Sequence, residues 1–331
     1  MSEPFTRPFR TALTDRLALR HPIVLAPMGG VAGGALAAAV SAGGGLGQIG
    51  IGYGDHAWLT REFDRAGGAR VGCGFITWML AERPQLLDAA LERGAAAITL
   101  AFGDPGPFAA RIRGAGVPLI CQVAGVEEAR RALEVGADVL VAQGGEGGGH
   151  AARHRSTMTL VPELVDLVAG LGADVPVLAA GGIGDGRGLA AALVLGADGA
   201  LVGTRFWACA EALVAPGAHR RATRAVGDDT IATTVYDQVR GYTWPDGYTS
   251  RVLRTPFVAH WHGRDRELTG ALDELAVQYR GAVENEDYDV AQIAVGEAIG
   301  IVRDVGSAAD VVADLVREAS AALEASRPGA R

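Results

Sequence analysis

RGAAAITL at 93–100, VGADVLVA at 135–142 and LGADGALVG at 195–203 give the same local instruction three times. In each, a helical stretch reaches a glycine suited to closing a helix, and an apolar run follows at once. Outward from these segments, apolar runs and alanine-rich helical stretches alternate from residue 21 to about 215. The candidate strands are Pro22–Ala26, Leu46–Gly50, Arg70–Phe75, Ala97–Ala101, Pro118–Val123, Asp138–Ala142, Pro176–Ala180 and Gly199–Val202. Helical stretches lie between them near 32–42, 56–66, 82–93, 106–114, 126–135, 160–170 and 187–195. The runs are apolar throughout, as parallel strands covered on both faces are. Eight such units with right-handed crossovers predict an α/β fold, a closed (β/α)8 TIM barrel. A doubly wound open sheet is the competing arrangement, but the repeat has no topological break.

Residues 216–297 depart from this rhythm, with TWPDGY at 243–248 and ENEDYD at 284–289. They read as a mostly helical and irregular insertion after the eighth strand, near the barrel mouth. Residues 308–325 return to helical periodicity, with Val311, Val312, Leu315, Val316, Ala319 and Leu323 on one face. The expected division is a barrel from 1–215 and 298–326 and a subdomain from 216–297.

Composition removes several function classes. With 49% hydrophobic and 21% charged residues, the chain is not disordered. A net charge of −8 argues against a nucleic-acid surface. All 30 basic residues are arginine, so lysine Schiff-base chemistry and a lysine-bearing phosphate loop are both excluded. Cys73, Cys121 and Cys209 are too few and too scattered for a disulfide framework or a zinc site, and suit a reduced compartment. Residues 1–20 carry no apolar signal segment, and glycine and charge interrupt every apolar run before it could span a membrane. A cytoplasmic protein with no membrane partner is expected.

Ligands of such a barrel bind at the C-terminal ends of its strands. VLVAQGGEGGGH at 139–150 takes the sixth strand through Gln143 and five glycines to His150. Glycines let backbone approach a bound group closely, and the loop brings a histidine, a base for carbon acids near neutral pH, over that group. A lone loop histidine is more often a surface group; its place after a glycine tract favours the catalytic role. His154, in a charged segment, has the weaker case, and Glu146 is expected to orient the loop. The seventh and eighth strands end in Gly181-Gly182 and Gly203-Thr204. Their N–H groups, a helix N-terminus and the Thr204 hydroxyl form a phosphate cradle that needs no lysine. The bland alternative is a tight turn with Asp185 as an ordinary N-cap. Pro27 and Met28 offer a flat apolar edge to a planar ring, and the amide of Gln143, with Gln122 behind it, suits a flavin's N–C=O edge. GLGQIGIGYG at 45–54 lacks the context of a dinucleotide fingerprint. His150 and His154 lack partners at metal-ligand spacing, so no metal is expected.

These residues resemble the nitronate monooxygenase family, formerly the 2-nitropropane dioxygenases, flavin mononucleotide (FMN) enzymes on a TIM barrel. The resemblance runs through APMGG at 26–30, SAGGGLGQIG at 41–50, AQGGEGGGH at 142–150, LAAGGI at 178–183, GALVGTRF at 199–206 and VGEAIGIVRDV at 295–305. It implies His150 as the catalytic histidine, Gln143 beside the flavin ring and Gly148 close to it. Gly181, Gly182, Gly203 and Thr204 fall at the phosphate, Pro27 and Met28 at the first-strand contact. Many members end the third strand with an asparagine near the flavin; this chain reads VGCGFITW at 71–78. It also carries Gly147 where alanine is usual. The implied reaction takes an alkyl nitronate and O2 to a carbonyl compound and nitrite, with a homodimer among the assemblies the sequence allows. The alternative within the same superfamily is an NAD(P)H-dependent flavin reductase of the enoyl-acyl-carrier-protein or quinone reductase type. Inosine-monophosphate dehydrogenases share the barrel but use a loop cysteine, and none lies between Cys121 and Cys209.

Overall fold

Each apolar run forms a strand in the computed structural model, which describes residues 9–152 and 155–326. His154 lies outside the described residues. The strands are β1 (Ile23–Leu25), β2 (Gly47–Gly50), β3 (Val71–Ile76), β4 (Ile98–Ala101), β5 (Leu119–Val123) and β6 (Val139–Gln143). Past a short β7 (Gly149–Ala151) outside the barrel come β8 (Val177–Ala180) and β9 (Gly199–Val202). The eight barrel strands are all parallel, in the order β1-β9-β8-β6-β5-β4-β3-β2. The circle closes where Leu25 N donates to Leu46 O and Leu46 N to Ile23 O, both at 2.9 Å.

Because side chains alternate along a strand, each apolar run serves two cores. Val139, Val141, Leu178, Ala180 and Leu201 point into the barrel, and their neighbours Leu140, Ala142, Val177 and Ala179 or Ala200 meet the surrounding helices. Leu13, in the first turn of the helix Ala12–Arg16, and Leu17, just after it, join the inner group and plug the barrel opposite the strand ends. The C-terminal helix Ala308–Ala325 completes the outer layer, packing on Gly34–Gly43 and Gly186–Val194. That fit needs small residues: a β-carbon on Gly186 would lie 2.4 Å from Ala319 N.

The segment 216–297 is more than helical. Besides helices Pro216–Ala222, Val235–Val239, Pro256–Trp261 and Asp265–Glu284, it contributes β10 (Thr230–Thr233) and β11 (Thr249–Leu253). These pair antiparallel in the order β10-β11-β7, so the glycine loop after β6 supplies the third strand of a second sheet. Among the described residues, no helix is long and apolar enough to cross a membrane.

Leu13 is fully buried and its neighbours are barrel backbone and side chains. Leu13→Ala should therefore lower the unfolding free energy by about 2–5 kcal/mol, read as a shift in urea midpoint with an unchanged slope.

Candidate active site

The site begins where β6 ends. Gln143 Oε1 accepts from Gln122 Nε2 on β5, and Gln143 Nε2 donates to the carbonyl of His150, both at 2.9 Å. One amide thus ties two barrel strands to the far end of the glycine loop. Glu146 anchors its middle: the carboxylate accepts from Thr157 N at 2.9 Å, capping the helix Thr157–Gly170. Its own carbonyl accepts from Glu297 N at 3.0 Å. Beside it, Gly148 and Gly296 cross backbone to backbone. A β-carbon on Gly148 would lie 2.5 Å from Gly296 N, and one on Gly296 would lie 2.6 Å from Gly148 N. Gly147 is different, since its nearest such contact is the Gly144 carbonyl at 3.2 Å.

His150 sits on β7, opposite Ser250 of β11. Both carboxylate oxygens of Asp237 are 3.0 Å from His150 Nε2. The pair is largely shielded, with side-chain exposures of 13% for His150 and 5% for Asp237. Trp244 stacks on the imidazole at 3.5 Å and 10°, and its Nε1 donates to the Tyr53 hydroxyl at 2.7 Å. Phe102 meets His150, Trp244 and Tyr248 edge-on, with its backbone at φ 67°, a left-handed conformation unfavourable for a bulky residue. Tyr53 in turn stacks on Tyr242 at 3.7 Å under the Arg240 guanidinium. Burial raises the Tyr53 phenol well above its usual range, so it stays a neutral hydrogen-bonding group.

Every residue expected at the site lines one cavity of about 260 Å³: Pro27, Met28, Gln143, Gly148, His150, Gly181, Gly182, Gly203 and Thr204. Gln122 and Arg240 line it as well. The backbone N–H groups of Gly181, Gly182, Gly203 and Thr204 have no backbone acceptor among the described residues. Gly181 and Gly182 hold φ values of 106° and 70°, open to glycine and strained for other residues. The Thr204 hydroxyl accepts from Gly296 N at 2.9 Å, which leaves its hydrogen for another acceptor. Asp185 is the ordinary N-cap of the bland reading, accepting from Arg187 N and Gly188 N, so those amides are already used. The cradle's donors are those of the two strand-end turns.

The turn at Pro27 and Met28 explains the missing asparagine. A β-carbon on Gly74 would fall 2.2 Å from Pro27 Cβ, and one on Gly50 would fall 2.4 Å from the Met28 carbonyl carbon. Gly50 at the end of β2 and Gly74 within β3 let the first-strand turn fold inward, and no side chain fits at Gly74. A β-carbon on Gly72 would face the barrel interior, 3.3 Å from the Gln48 side chain. The cysteines stand apart: all three are buried, and burial pushes the thiols of Cys121 and Cys209 up to about 12. No cluster able to hold a metal ion occurs among the described residues. The sequence reading misses Asp237, Tyr53, Phe102 and Trp244; TWPDGY at 243–248 marks only the departure from the barrel rhythm.

A flavin fits these residues. The cavity has unpaired N–H groups and a hydroxyl for a phosphate, an apolar proline–methionine edge, and side-chain amides for a ring edge. Over residues 10–66 and 77–318 the chain matches the family profile described as nitronate monooxygenase. It is 34% identical to nitronate monooxygenase npaC of Metarhizium robertsii, the match covering 92% of each chain. It is 35% identical to the (3aS,4S,5R,7aS)-5-hydroxy-7a-methyl-1-oxo-octahydro-1H-indene-4-carboxyl-CoA dehydrogenase of Mycobacterium tuberculosis, over 75% of this chain and 67% of that one. Its fold matches the solved structure of FabK from Thermotoga maritima with a TM-score of 0.83 at 31% identity, over 95% of this chain and 97% of the other.

The two loop glycines make a paired test. Gly148→Ala should separate the Gly148–Gly296 crossing and weaken flavin retention by roughly tenfold or more, about 1.4 kcal/mol or above. Gly147→Ala should retain flavin. Visible absorbance after desalting reads both, and equal retention would contradict the packing argument.

Proposed function

The chain belongs to the nitronate monooxygenase family, and from that membership and the composition of its cavity we propose that it is an FMN-dependent enzyme converting an alkyl nitronate and O2 to a carbonyl compound and nitrite. The observation that carries this reading is the shared cavity: His150 and the turns at Gly181-Gly182 and Gly203-Thr204 line the same space. The strand-end N–H groups and the Thr204 hydroxyl would hold the phosphate. Pro27, Met28, Gly148 and Gln143 would bound the ring. The flavin, when bound, supplies electron transfer between nitronate and oxygen.

The chain's own work is positioning and proton transfer. A nitronate arrives as an anion, and the Arg240 guanidinium on the cavity wall gives it a favourable field. A neutral nitroalkane must first lose its α-proton, and His150 is the base on that wall. Phe102 gives the cavity an aromatic wall, backed by the rings of Trp244 and Tyr248.

A second reading, an NAD(P)H-dependent flavin reductase acting on an enoyl thioester or quinone, draws on the relative named as a carboxyl-CoA dehydrogenase. Anaerobic addition of nitronate and then NADPH to the flavin-loaded protein separates the two. Bleaching by nitronate supports the monooxygenase; bleaching by NADPH alone overturns it. Mass spectrometry of the released flavin should identify FMN.

His150→Gln should reduce turnover of a neutral nitroalkane by a factor on the order of 10²–10⁴. Turnover of preformed nitronate should fall far less. Equal losses on both substrates would remove His150 from the role of base.

A further inference from the structure

Asp237 places a buried carboxylate against the histidine, and none of the arginines pairs with it among the described residues. Arg240, three residues along, instead donates to Gln292 Oε1 at 3.1 Å and lies over Tyr53 and Tyr242. A buried charge is costly unless hydrogen-bonded, and the bond that compensates this one is to His150 Nε2. A neutral imidazole has one N–H and one acceptor nitrogen, while an ionised carboxylate can only accept. With both oxygens 3.0 Å from Nε2, the hydrogen belongs on Nε2. Nδ1 is then the nitrogen with a free lone pair, and it has no hydrogen-bond partner among the described residues.

We infer that Asp237 is a positioning residue that fixes His150 as the Nε2–H tautomer and leaves Nδ1 to receive the substrate's proton. This rests on the reading of His150 as the base. The ring cannot readily escape the arrangement. Trp244 covers one face at 3.5 Å and is itself held by Tyr53, and the His150 carbonyl is held by Gln143. Turning the ring over would face Asp237 with a carbon and lose the bond. In the step itself, the substrate's α-C–H bond breaks and its proton goes to Nδ1. The electron pair stays on the substrate as nitronate, and the imidazolium is balanced by the Asp237 carboxylate, which remains ionised.

The test uses flavin-loaded protein with ¹⁵N-labelled histidine, at a pH where the ring is neutral, with His150 signals identified by their loss in His150→Gln. The expected spectrum shows protonated Nε2 and unprotonated Nδ1. Asp237→Ala should give a mixture of tautomers. It should lower kcat for neutral nitroalkane by a factor on the order of 10², with KM nearly unchanged and turnover of preformed nitronate largely kept. The near-isosteric Asp237→Asn keeps the packing if alanine does not fold, and should also lower nitroalkane kcat. A protonated Nδ1 in the unsubstituted protein overturns the inference. So does full nitroalkane kcat in a folded, flavin-loaded Asp237 variant. If His150→Gln itself retains nitroalkane turnover, the base reading has failed and the proton-acceptor role falls with it; the tautomer spectrum still decides what Asp237 holds.

Discussion

The contact on which the site depends is the crossing of two backbones at Gly148 and Gly296, closer than any β-carbon would permit. The crossing binds the loop after β6 to a segment almost 150 positions later in sequence, and three further contacts depend on the same juncture. Glu297 N donates to Glu146 O, Gly296 N donates to the Thr204 hydroxyl, and Arg251 bridges Gly145 O and the Glu297 carboxylate. Pinned there, the loop cannot hang free over the barrel mouth. It extends instead into β7, and the extended register against β11 decides where His150 points.

This arrangement divides the work between the barrel and the later segment. The barrel supplies the strand-end turns, the amides of Gln122 and Gln143, and a rigid rim, because its strands are buried on both faces. The segment 216–297 supplies what surrounds the histidine: Asp237 at its Nε2 and Trp244 across its face. Neither part alone would hold the imidazole in a defined orientation. A flexible histidine over a cofactor would spend much of its time misaimed, and misplacement by even 1 Å can cost about a hundredfold in rate.

The difference in what could be read from sequence follows this division. The eight strands were legible because parallel strands buried on both faces are largely apolar, and because helix-closing glycines such as Gly94, Gly136 and Gly196 precede the strands. The pocket-lining positions of His150 and of the glycines at 181, 182 and 203 were legible because a barrel fixes which strand ends face the ligand. Asp237 was not. Its pairing with His150 spans 87 positions and depends on β7 joining β11, and a three-residue strand of glycine, histidine and alanine has no propensity signal of its own. The clue lay in YTWPDGY at 242–248, where four aromatic or proline residues fall among polar ones, a density a solvent-facing loop has no reason to carry.

Phe102 shows that the aromatic wall is more than packing. A bulky residue at φ 67° is strained, and such strain persists only where surrounding contacts over-determine it. Here those contacts are the rings of His150, Trp244 and Tyr248, all met edge-on. Edge-to-face pairing of aromatic rings is worth about 0.5–1.5 kcal/mol per pair beyond burial, enough in sum to offset a conformational cost of about 1–3 kcal/mol. Relaxing Phe102 would withdraw the ring that backs Trp244, and Trp244 is what keeps His150 flat against its place. The strain at the end of β4 and the orientation of the imidazole on β7 are therefore one coupled feature, transmitted through the ring contacts Phe102–Trp244 and Trp244–His150.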